Sequence, residues 1–296
     1  MKVMKLEKII ETKIHSDDIY QTIWLNEGYV ASSSWDKTIS ILDVRKLTFT
    51  LLKKHEKGVT SLDYHQADHL LASGSTDLTV RIWDIEKGEA ILSLRGHREA
   101  VLGVKWNVDQ ELLASCSEDS TIAIWDTKSW KLERVLKGHR YAVFSIDWHP
   151  REDILLSGSS DKKIIFWDAW TGKKQREINA HSRAVRTVKF SPNGKYFVTG
   201  SWDGKVIVWA YDSLEKVREK YFPNTTIRCA RWDPTGGIVA ISRSDGFLTL
   251  WKPFDSWSAH YRVYDLTVRC ASWSPNGKKL VVTSNGGMLT IFKVNI

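Results

Sequence analysis

The sequence predicts an all-β repeat fold, and two observations lead to that fold class. Aspartates recur along the chain, first 41 and then repeatedly 42 residues apart, at Asp36, Asp77, Asp119, Asp161, Asp203 and Asp245. Between them, short β-rich runs alternate with turn residues, and no segment shows a convincing helical pattern. Because a fixed period of about 40 residues is typical of repeat architectures, we expect a chain built from like units.

Each repeat contains recognisable strands in a fixed order. In the third copy, residues 112–116 (LLASC) and 121–125 (TIAIW) are β-rich runs, with turn residues at 118–120 between them. The equivalent of the second run is apolar almost throughout in later copies: KIIFW at 163–167, KVIVW at 205–209 and FLTLW at 247–251. This pattern predicts sheets buried on both faces, as sheets stacked around an axis would be.

Two further positions recur at fixed offsets from the aspartates, and they define seven copies. Six residues after the aspartate position lies a bulky apolar residue: Leu42, Trp83, Trp125, Trp167, Trp209, Trp251 and Phe292. Before it, by 21 or 22 residues, lies a histidine in five copies and a replacement in two: His15, His55, His97, His139, His181, Pro223 and Tyr264. Gly286 stands where a seventh aspartate would fall.

Length and composition limit the class of protein and its compartment. The chain has 296 residues, of which 42% are hydrophobic and 26% charged, with a net charge of +8. These values exclude disordered and collagen-like classes. No apolar run approaches the roughly 18 residues of a membrane span, and the N-terminus lacks the apolar stretch of a signal peptide. We predict an intracellular protein of the cytoplasm or nucleus without membrane association.

The sequence gives little support for a metal or cofactor site. Three scattered cysteines, Cys116, Cys229 and Cys270, do not suggest a disulfide framework or metal cluster, and we interpret them as small buried residues. His65 and His69 are four residues apart but fall in a predicted loop without a third ligand. Neither a phosphate-binding glycine loop nor a Cys-x-x-Cys motif occurs. We predict no metal and no cofactor.

Short motifs within the repeats resemble those of the WD-repeat β-propeller family. The Gly-His pairs are Gly96-His97 and Gly138-His139, and the Trp-Asp pairs are Trp83-Asp84, Trp125-Asp126 and Trp167-Asp168. The resemblance covers essentially the whole chain. It implies one four-stranded antiparallel blade per repeat, and hence an all-β, seven-bladed β-propeller formed by a single domain, residues 1–296. We expect no further domain.

The two ends of the chain suggest how the ring closes. The chain stops soon after the third strand of the last copy (MLTIF, 288–292), so that blade lacks an outer strand. Residues 5–12 (KLEKIIET) precede the first histidine much as an outer strand precedes the later ones. We therefore expect the N-terminal strand to join the last blade, leaving no open interface between first and last blades.

A serine or threonine also recurs four residues before the aspartate in the first five copies. Sets such as His97, Ser115 and Asp119 contain the residue types of a hydrolase triad. A catalytic site needs one substrate pocket, whereas this set repeats around the ring, so we predict a scaffold role and no enzyme activity. The resemblance implies buried structural tetrads, complete in copies 2–5: His55, Ser73, Asp77, Trp83; His97, Ser115, Asp119, Trp125; His139, Ser157, Asp161, Trp167; His181, Thr199, Asp203, Trp209.

The resemblance further implies that partners dock where the channel opens on one face. One channel-mouth position, five residues after the histidine, is occupied by Tyr20, Thr60, Leu102, Phe144, Arg186, Arg228 and Arg269. Another, just before the aspartate, is occupied by Trp35, Thr76, Glu118, Ser160, Trp202, Ser244 and Asn285. Arg186, Arg228 and Arg269, here called the arginine arc, should lie side by side because they belong to consecutive blades.

The arginine arc and its aromatic neighbours predict a peptide-binding site. Guanidinium groups bind carboxylate or phosphate bidentately, and Arg and Trp are enriched at binding hot spots. We expect Tyr20, Trp35, Phe144 and Trp202 to contribute apolar contacts, with both tryptophans exposed. The alternative, that the arginines pair with native carboxylates or are simply solvated, stays open at this point.

Three functions are compatible with these patterns. The favoured hypothesis is a monomeric, non-enzymatic scaffold or adaptor that binds other proteins through an acidic or phosphorylated peptide segment. The second is nucleic-acid binding, suggested by the net charge and by basic residues near the blade histidines: Lys53, Lys54, Arg98, Arg140 and Arg183. An enzyme is the least supported, since no cluster of acid, base and nucleophile stands apart from the repeat.

Overall fold

Seven sheets, each of four antiparallel strands, form the blades of a β-propeller around a central channel. The predicted fold class is thereby confirmed. The computed structural model describes residues 4–109 and 111–295. In blades 1–6 the strands follow chain order from the channel outward, and the innermost strands of neighbouring blades pack against each other around the ring.

The strand bounds follow the predicted repeats. Blades 1 and 2 contain β2 (Ile19–Asn26), β3 (Tyr29–Ser34), β4 (Thr38–Asp43), β5 (Thr48–Lys53), β6 (Val59–His65), β7 (Leu70–Ser75), β8 (Thr79–Asp84) and β9 (Glu89–Arg95). Blades 3 and 4 contain β10 (Val101–Trp106), β11 (Leu112–Ser117), β12 (Thr121–Asp126), β13 (Leu132–Lys137), β14 (Val143–Trp148), β15 (Ile154–Ser159), β16 (Lys163–Asp168) and β17 (Lys174–Asn179). Blades 5 and 6 contain β18 (Val185–Phe190), β19 (Tyr196–Ser201), β20 (Lys205–Ala210), β21 (Lys216–Tyr221), β22 (Ile227–Trp232), β23 (Val239–Arg243), β24 (Phe247–Trp251) and β25 (Ser258–Arg262).

Blade 7 is assembled from both ends of the chain, as the sequence predicts. It contains β26 (Val268–Trp273), β27 (Lys279–Ser284), β28 (Met288–Asn295) and, as its outer strand, β1 (Lys5–Lys13). A 3₁₀ turn, Asn285–Gly287, links β27 to β28. Strand β1 runs antiparallel to β28, with Lys5 opposite Asn295 and Lys13 opposite Met288. The first and last blades are thus joined without an open edge.

The core lies between the blades. Strands β11 and β15 are buried along their whole length, and the apolar residues of each blade pack against those of the next. For example, Leu112 of blade 3 and Leu155 of blade 4 belong to one cluster. This stacking explains the continuous apolar runs in the sequence, because each sheet is covered on both faces.

Complete tetrads form in blades 2–5. In each, histidine Nδ1 lies 2.7–3.0 Å from the aspartate Oδ2. Histidine Nε2 lies 2.7–2.8 Å from the serine or threonine hydroxyl. That hydroxyl also accepts the indole N–H at 2.8–3.0 Å. Each tetrad links the loop before the blade to the second and third strands.

The tetrad aspartates also hold backbone groups. Oδ2 of Asp161 accepts the backbone N–H of Arg140 at 3.0 Å, and Oδ1 accepts that of Lys163 at 3.0 Å. Burial alone would raise the pKa of Asp161, but hydrogen bonds and charge from His139, together with these backbone donors, lower it to about 2. The carboxylate is therefore held ionised inside the blade.

Blades 6 and 7 replace the tetrad with other polar contacts. In blade 6, Arg243 forms an ion pair with Asp245, and its guanidinium carbon lies 4.5 Å from the centre of the Phe222 ring. In blade 7, Tyr264 takes the histidine position; its hydroxyl donates to the carbonyl of Val282 at 3.2 Å and lies 2.7 Å from Thr290 Oγ1. These substitutes keep the same region of each blade hydrogen-bonded.

Candidate functional site

The arginine arc is placed by the innermost strands of blades 5, 6 and 7. At the start of these strands, Val185, Ile227 and Val268 are fully buried between blades. The next residue in each case is an arc arginine, and the pairing register shifts across it in all three strands. Such bulges re-aim a side chain, and here they direct the guanidinium groups into the channel mouth.

The three arginines are close enough to repel one another electrostatically. Burial is the main cause of the lowered pKa of Arg186, and the charge of Arg269 adds to it. For Arg228, burial again lowers the pKa first, followed by the charges of Arg269 and Arg186. All three arginines line the same channel cavity.

Arg269 is not free, so the alternative that the arginines pair with native carboxylates holds for this member of the arc. Its Nη2 donates to Asp18 Oδ2 at 2.7 Å, its Nε donates to Asn285, and its guanidinium carbon lies 5.0 Å from the centre of the Tyr20 ring. Asp18 is further held by the backbone N–H of Gly286 at 2.8 Å. This arginine joins blade 7 to blade 1, because it pairs with a native carboxylate across the ring closure.

Arg186 is anchored by an aromatic ring rather than by an acid. Its guanidinium carbon lies 5.1 Å from the centre of the Phe144 ring, and Nη1 donates to the Phe144 carbonyl at 3.5 Å. It forms no ion pair among residues 4–109 and 111–295. Its position is fixed while its positive charge remains uncompensated.

Arg228, in the middle of the arc, has the fewest partners. Its Nε is buried without a hydrogen-bond partner in the described part of the chain, and the side chain as a whole is half-buried. No described carboxylate forms an ion pair with it. A guanidinium that is partly desolvated yet unpaired is costly unless a ligand supplies the acceptors.

The aromatic residues form a pair on each side of the arc. Trp35 is 44% exposed and stacks on Tyr20, with ring centres 5.5 Å apart. It also lies over Gly58, where an added Cβ would collide with the indole ring. Phe144 and Trp202 form the second pair, at 5.4 Å. Trp202 is half-buried, so the expectation that it is exposed is wrong, and its buried indole N–H lacks a described partner.

A second ring of charges lies deeper in the channel, which was not predicted from the sequence. Lys105 pairs with Asp63, and Lys189 pairs with Asp147. Burial lowers the pKa of Lys189 to about 8, although the charge of Asp147 opposes that shift. Arg231, the fifth member, donates to Thr187 Oγ1 at 3.2 Å. Each of the five charged residues lies three positions after the channel-mouth residue of its repeat, which is the position that the arc arginines occupy in blades 5–7. The repeat spacing could therefore have predicted them from the sequence.

The channel encloses a cavity of about 690 Å³ lined by the arc and by this deeper ring. Its charged groups are distributed unevenly. Within each deeper pair, the lysine and aspartate charges compensate each other, whereas Arg186 and Arg228 at the mouth form no ion pair with an acid in the described part of the chain. The mouth is therefore the part of the channel that most favours a negatively charged ligand.

The two histidines considered for metal binding have ordinary partners. His65 Nδ1 accepts the backbone N–H of Asp68 at 3.1 Å, and His69 Nδ1 lies 2.9 Å from the Tyr64 hydroxyl. Across the described ranges, no group of three or more potential ligands could hold a metal ion. Within the same ranges, no helix has the length and apolarity to cross a membrane.

Comparison with known families decides the classification. The family model described as "WD domain, G-beta repeat" matches residues 45–84, 88–126, 130–168, 172–210 and 252–293, which is more than half of the chain. The chain belongs to the WD-repeat family. Strands β2–β4 of blade 1 and β22–β24 of blade 6 lie outside these matches, yet they form regular blades with β5 and β25. Propellers of this WD-repeat family are typically non-enzymatic platforms for protein interaction.

Individual relatives share only parts of the chain. Protein SPA1-RELATED 4 of Arabidopsis thaliana is 42% identical over 71 residues, 23% of this chain and 9% of that protein. Cell division control protein 4 of Saccharomyces cerevisiae is 39% identical over 75 residues, 25% of this chain and 10% of that protein. The Peroxisomal targeting signal 2 receptor of Mus musculus is 32% identical over 87 residues, 27% of each chain. The matched stretches thus span a small part of these relatives.

Proposed function

We propose that this WD-repeat propeller is a non-enzymatic scaffold that binds an acidic or phosphorylated peptide segment at the channel mouth. The observation that carries the proposal is the state of Arg228, which is half-buried, has no ion-pair partner among the described residues and lies between two other arginines. Carboxylate or phosphate oxygens are the acceptors that satisfy a guanidinium best, because the bonds are charge-assisted and bidentate. The proposal therefore assigns the acidic group of the ligand to Arg228.

Each neighbouring group has a role in this proposal. Arg186 adds a second cation, which is held against Phe144, while Arg269 mainly stabilises the site through its ion pair with Asp18. The exposed face of Trp35 offers apolar contact to side chains on either side of the acidic residue. The name of the mouse relative describes a receptor for a targeting signal, which fits a platform that recognises a short segment.

The test compares two charge reversals of equal size. Arg228→Glu is expected to abolish capture of acidic partners, whereas Arg218→Glu, on the exposed outer strand β21 of blade 5, is expected to leave capture intact. Capture is measured by affinity purification from the native host and by fluorescence anisotropy with a labelled acidic peptide and its phosphorylated form. Both variants should melt within a few degrees of the wild type.

A second binding assay on the same protein tests the competing nucleic-acid hypothesis. Arg98, Arg140 and Arg183 are exposed, so they could contact a phosphate backbone. An unrelated oligonucleotide titrated over a range of salt concentrations reports this directly, because such binding weakens steeply as salt rises. If Arg228→Glu retains the peptides, or if the oligonucleotide binds more tightly than they do, the peptide site is refuted.

A further inference from the structure

Two of the three cysteines are neighbours across the interface between blades 6 and 7. Cys229 lies on β22 and Cys270 on β26, and their sulfur atoms are 3.5 Å apart. They directly follow Arg228 and Arg269 in their strands, at the same repeat position. The sequence interpretation of scattered buried residues missed this pair, because the cysteines are 41 residues apart in the chain.

The surroundings of the pair favour a reactive thiolate. The pKa of Cys229 is lowered, first by the hydrogen bond that Cys270 donates to it and then by the charge of Arg231, although burial opposes the shift. Cys270 correspondingly keeps its proton, since its pKa is raised by the same hydrogen bond and by burial. One sulfur is thus prepared as nucleophile and the other as proton donor.

Access to the pair is selective. Cys229 is 4% exposed and Cys270 is 3% exposed, so a protein-sized oxidant does not reach them from the outer surface. Both nevertheless line the channel cavity of about 690 Å³. A small neutral oxidant that enters the channel therefore meets these two thiols.

We propose that Cys229 and Cys270 form an oxidation site that hydrogen peroxide converts to a disulfide between blades 6 and 7. The Cys229 thiolate attacks one peroxide oxygen, the O–O bond breaks, and the released hydroxide takes a proton to give water and a Cys229 sulfenic acid. The Cys270 sulfur then attacks the Cys229 sulfur as its proton passes to the departing hydroxyl, which leaves as a second water. Two thiols lose two electrons in total, and one peroxide gains them.

The geometry needs only a small adjustment. The sulfurs must approach by about 1.5 Å from the present 3.5 Å to reach the usual S–S length. Rotation of the two side chains towards each other supplies part of this movement. The resulting cross-link would hold β22 and β26 together directly beneath the arginine arc.

Cys116 provides an internal control. It is fully buried in blade 3, and burial raises its pKa. Its thiol is therefore expected to resist peroxide under conditions that oxidise the pair.

To test this, the reduced full chain is treated with hydrogen peroxide and then unfolded. The remaining thiols are alkylated, and the peptides are mapped by mass spectrometry. We expect alkylation of Cys229 and Cys270 to fall at least about tenfold, alkylation of Cys116 to persist, and a linked peptide to appear that dithiothreitol removes. Persistence of all three thiols, equal loss of Cys116, or oxidation of Cys229 to a sulfinic acid without a linked peptide would each overturn the proposal.

Two variants assign the roles of the sulfurs. Cys270→Ala removes the second thiol, so dimedone should trap the sulfenic acid on Cys229. Cys116→Ala should leave the cross-link unchanged. Absence of the dimedone adduct in Cys270→Ala overturns the assignment of Cys229 as the attacking thiol. The mapping of the wild-type chain does not depend on how either variant folds.

Discussion

Blade 4 and blade 7 have the same strand arrangement but hold it together with different chemistry. In blade 4, His139 connects Ser157 and Asp161 through short hydrogen bonds. In blade 7, Tyr264 spans the same region, bonding to Val282 and Thr290. Blade 4 is a continuous piece of chain, whereas blade 7 takes its outer strand from the N-terminus.

The difference shows what a blade requires. A buried polar group without a partner costs free energy, but the partner need not be a particular residue type. A charged network is used in blades 2–5, where the repeat consensus is kept. Blade 7 uses a mainly neutral network, because Gly286 takes the place of the aspartate with which a histidine would pair.

The largest expected effect comes from breaking the two-part construction of blade 7. Deletion of residues 1–12 removes most of β1, leaves the edge of β28 unpaired and uncovers the cluster against which Leu6 packs. We expect a fall in melting temperature of more than about 10 °C, or loss of cooperative unfolding. Calorimetry measures this.

The matched control for the deletion is a peptide of residues 1–13 added in trans. It should restore part of the melting temperature, whereas a scrambled peptide of the same composition should not. An unchanged melting temperature after the deletion would contradict the closure of the ring by β1.

The next largest effect is expected from removing a member of each polar network, which compares how much the two networks stabilise their blades. His139→Ala removes a partner of a buried carboxylate, so we expect a loss of about 2–3 kcal/mol in the free energy of unfolding. Tyr264→Phe removes neutral hydrogen bonds and keeps the ring, so we expect about 1 kcal/mol. Urea unfolding of both variants tests the ordering, and equal losses would mean that the charge in the tetrad adds nothing.

The next prediction concerns how the free energy of unfolding depends on pH. Burial lowers the pKa values of His15 and His55 in the folded chain, so the unfolded chain binds more protons as the pH falls below about 6.5. The free energy of unfolding should therefore decrease as the pH falls from about 6.5 to 5. A second decrease should begin below about pH 4, where the unfolded chain protonates carboxylates while Asp161 and Asp203 keep pKa values of about 2.

Urea unfolding across this pH range measures both decreases. His55→Gln should flatten the first one, because a titrating group is lost. Tyr264→Phe in blade 7 should leave that slope unchanged. A flat profile from pH 6.5 to 5 in the wild type would show that the two histidines titrate alike in the folded and unfolded chains.

The smallest expected effect is the difference in stability between variants of Arg269 and Arg228, two members of the arginine arc. Arg269→Gln leaves Asp18 without its cation, so we expect a loss of about 1 kcal/mol in the free energy of unfolding. Arg228→Gln removes an unpaired charge that Arg186 and Arg269 repel, so we expect a change within about 0.5 kcal/mol in either direction. If Arg228→Gln is the more damaging of the two, Arg228 has a structural role and the proposed binding role loses its basis.

Most of the fold could be predicted from the sequence because the repeat imposes it. The nearly constant spacing of six aspartates, continued by Gly286, indicates the seven copies, and the place of residues 5–12 before His15 indicates the closing strand. The period also predicts blades 1 and 6, although Leu42 and Pro223 depart from the repeat pattern, because the other positions of these copies keep the spacing.

The candidate site was predictable only in part. The repeat register placed Arg186, Arg228 and Arg269 together, but register does not reveal which of them meets an acid. Asp18 lies 251 residues from Arg269 in the chain, and only the closed ring brings them into contact. The packing of Trp202 against Phe144 likewise depends on the angle between two blades, which periodicity does not specify.

Because Lys5 lies opposite Asn295 in the outermost hairpin of blade 7, a short linker could tie one end of the chain to the other. New ends opened in an exposed turn between two other blades would then create a circular permutant. Its composite blade would lie elsewhere on the ring, while blade 7 would become a continuous piece of chain. A series of such permutants could move the composite blade around the ring without altering a single core residue.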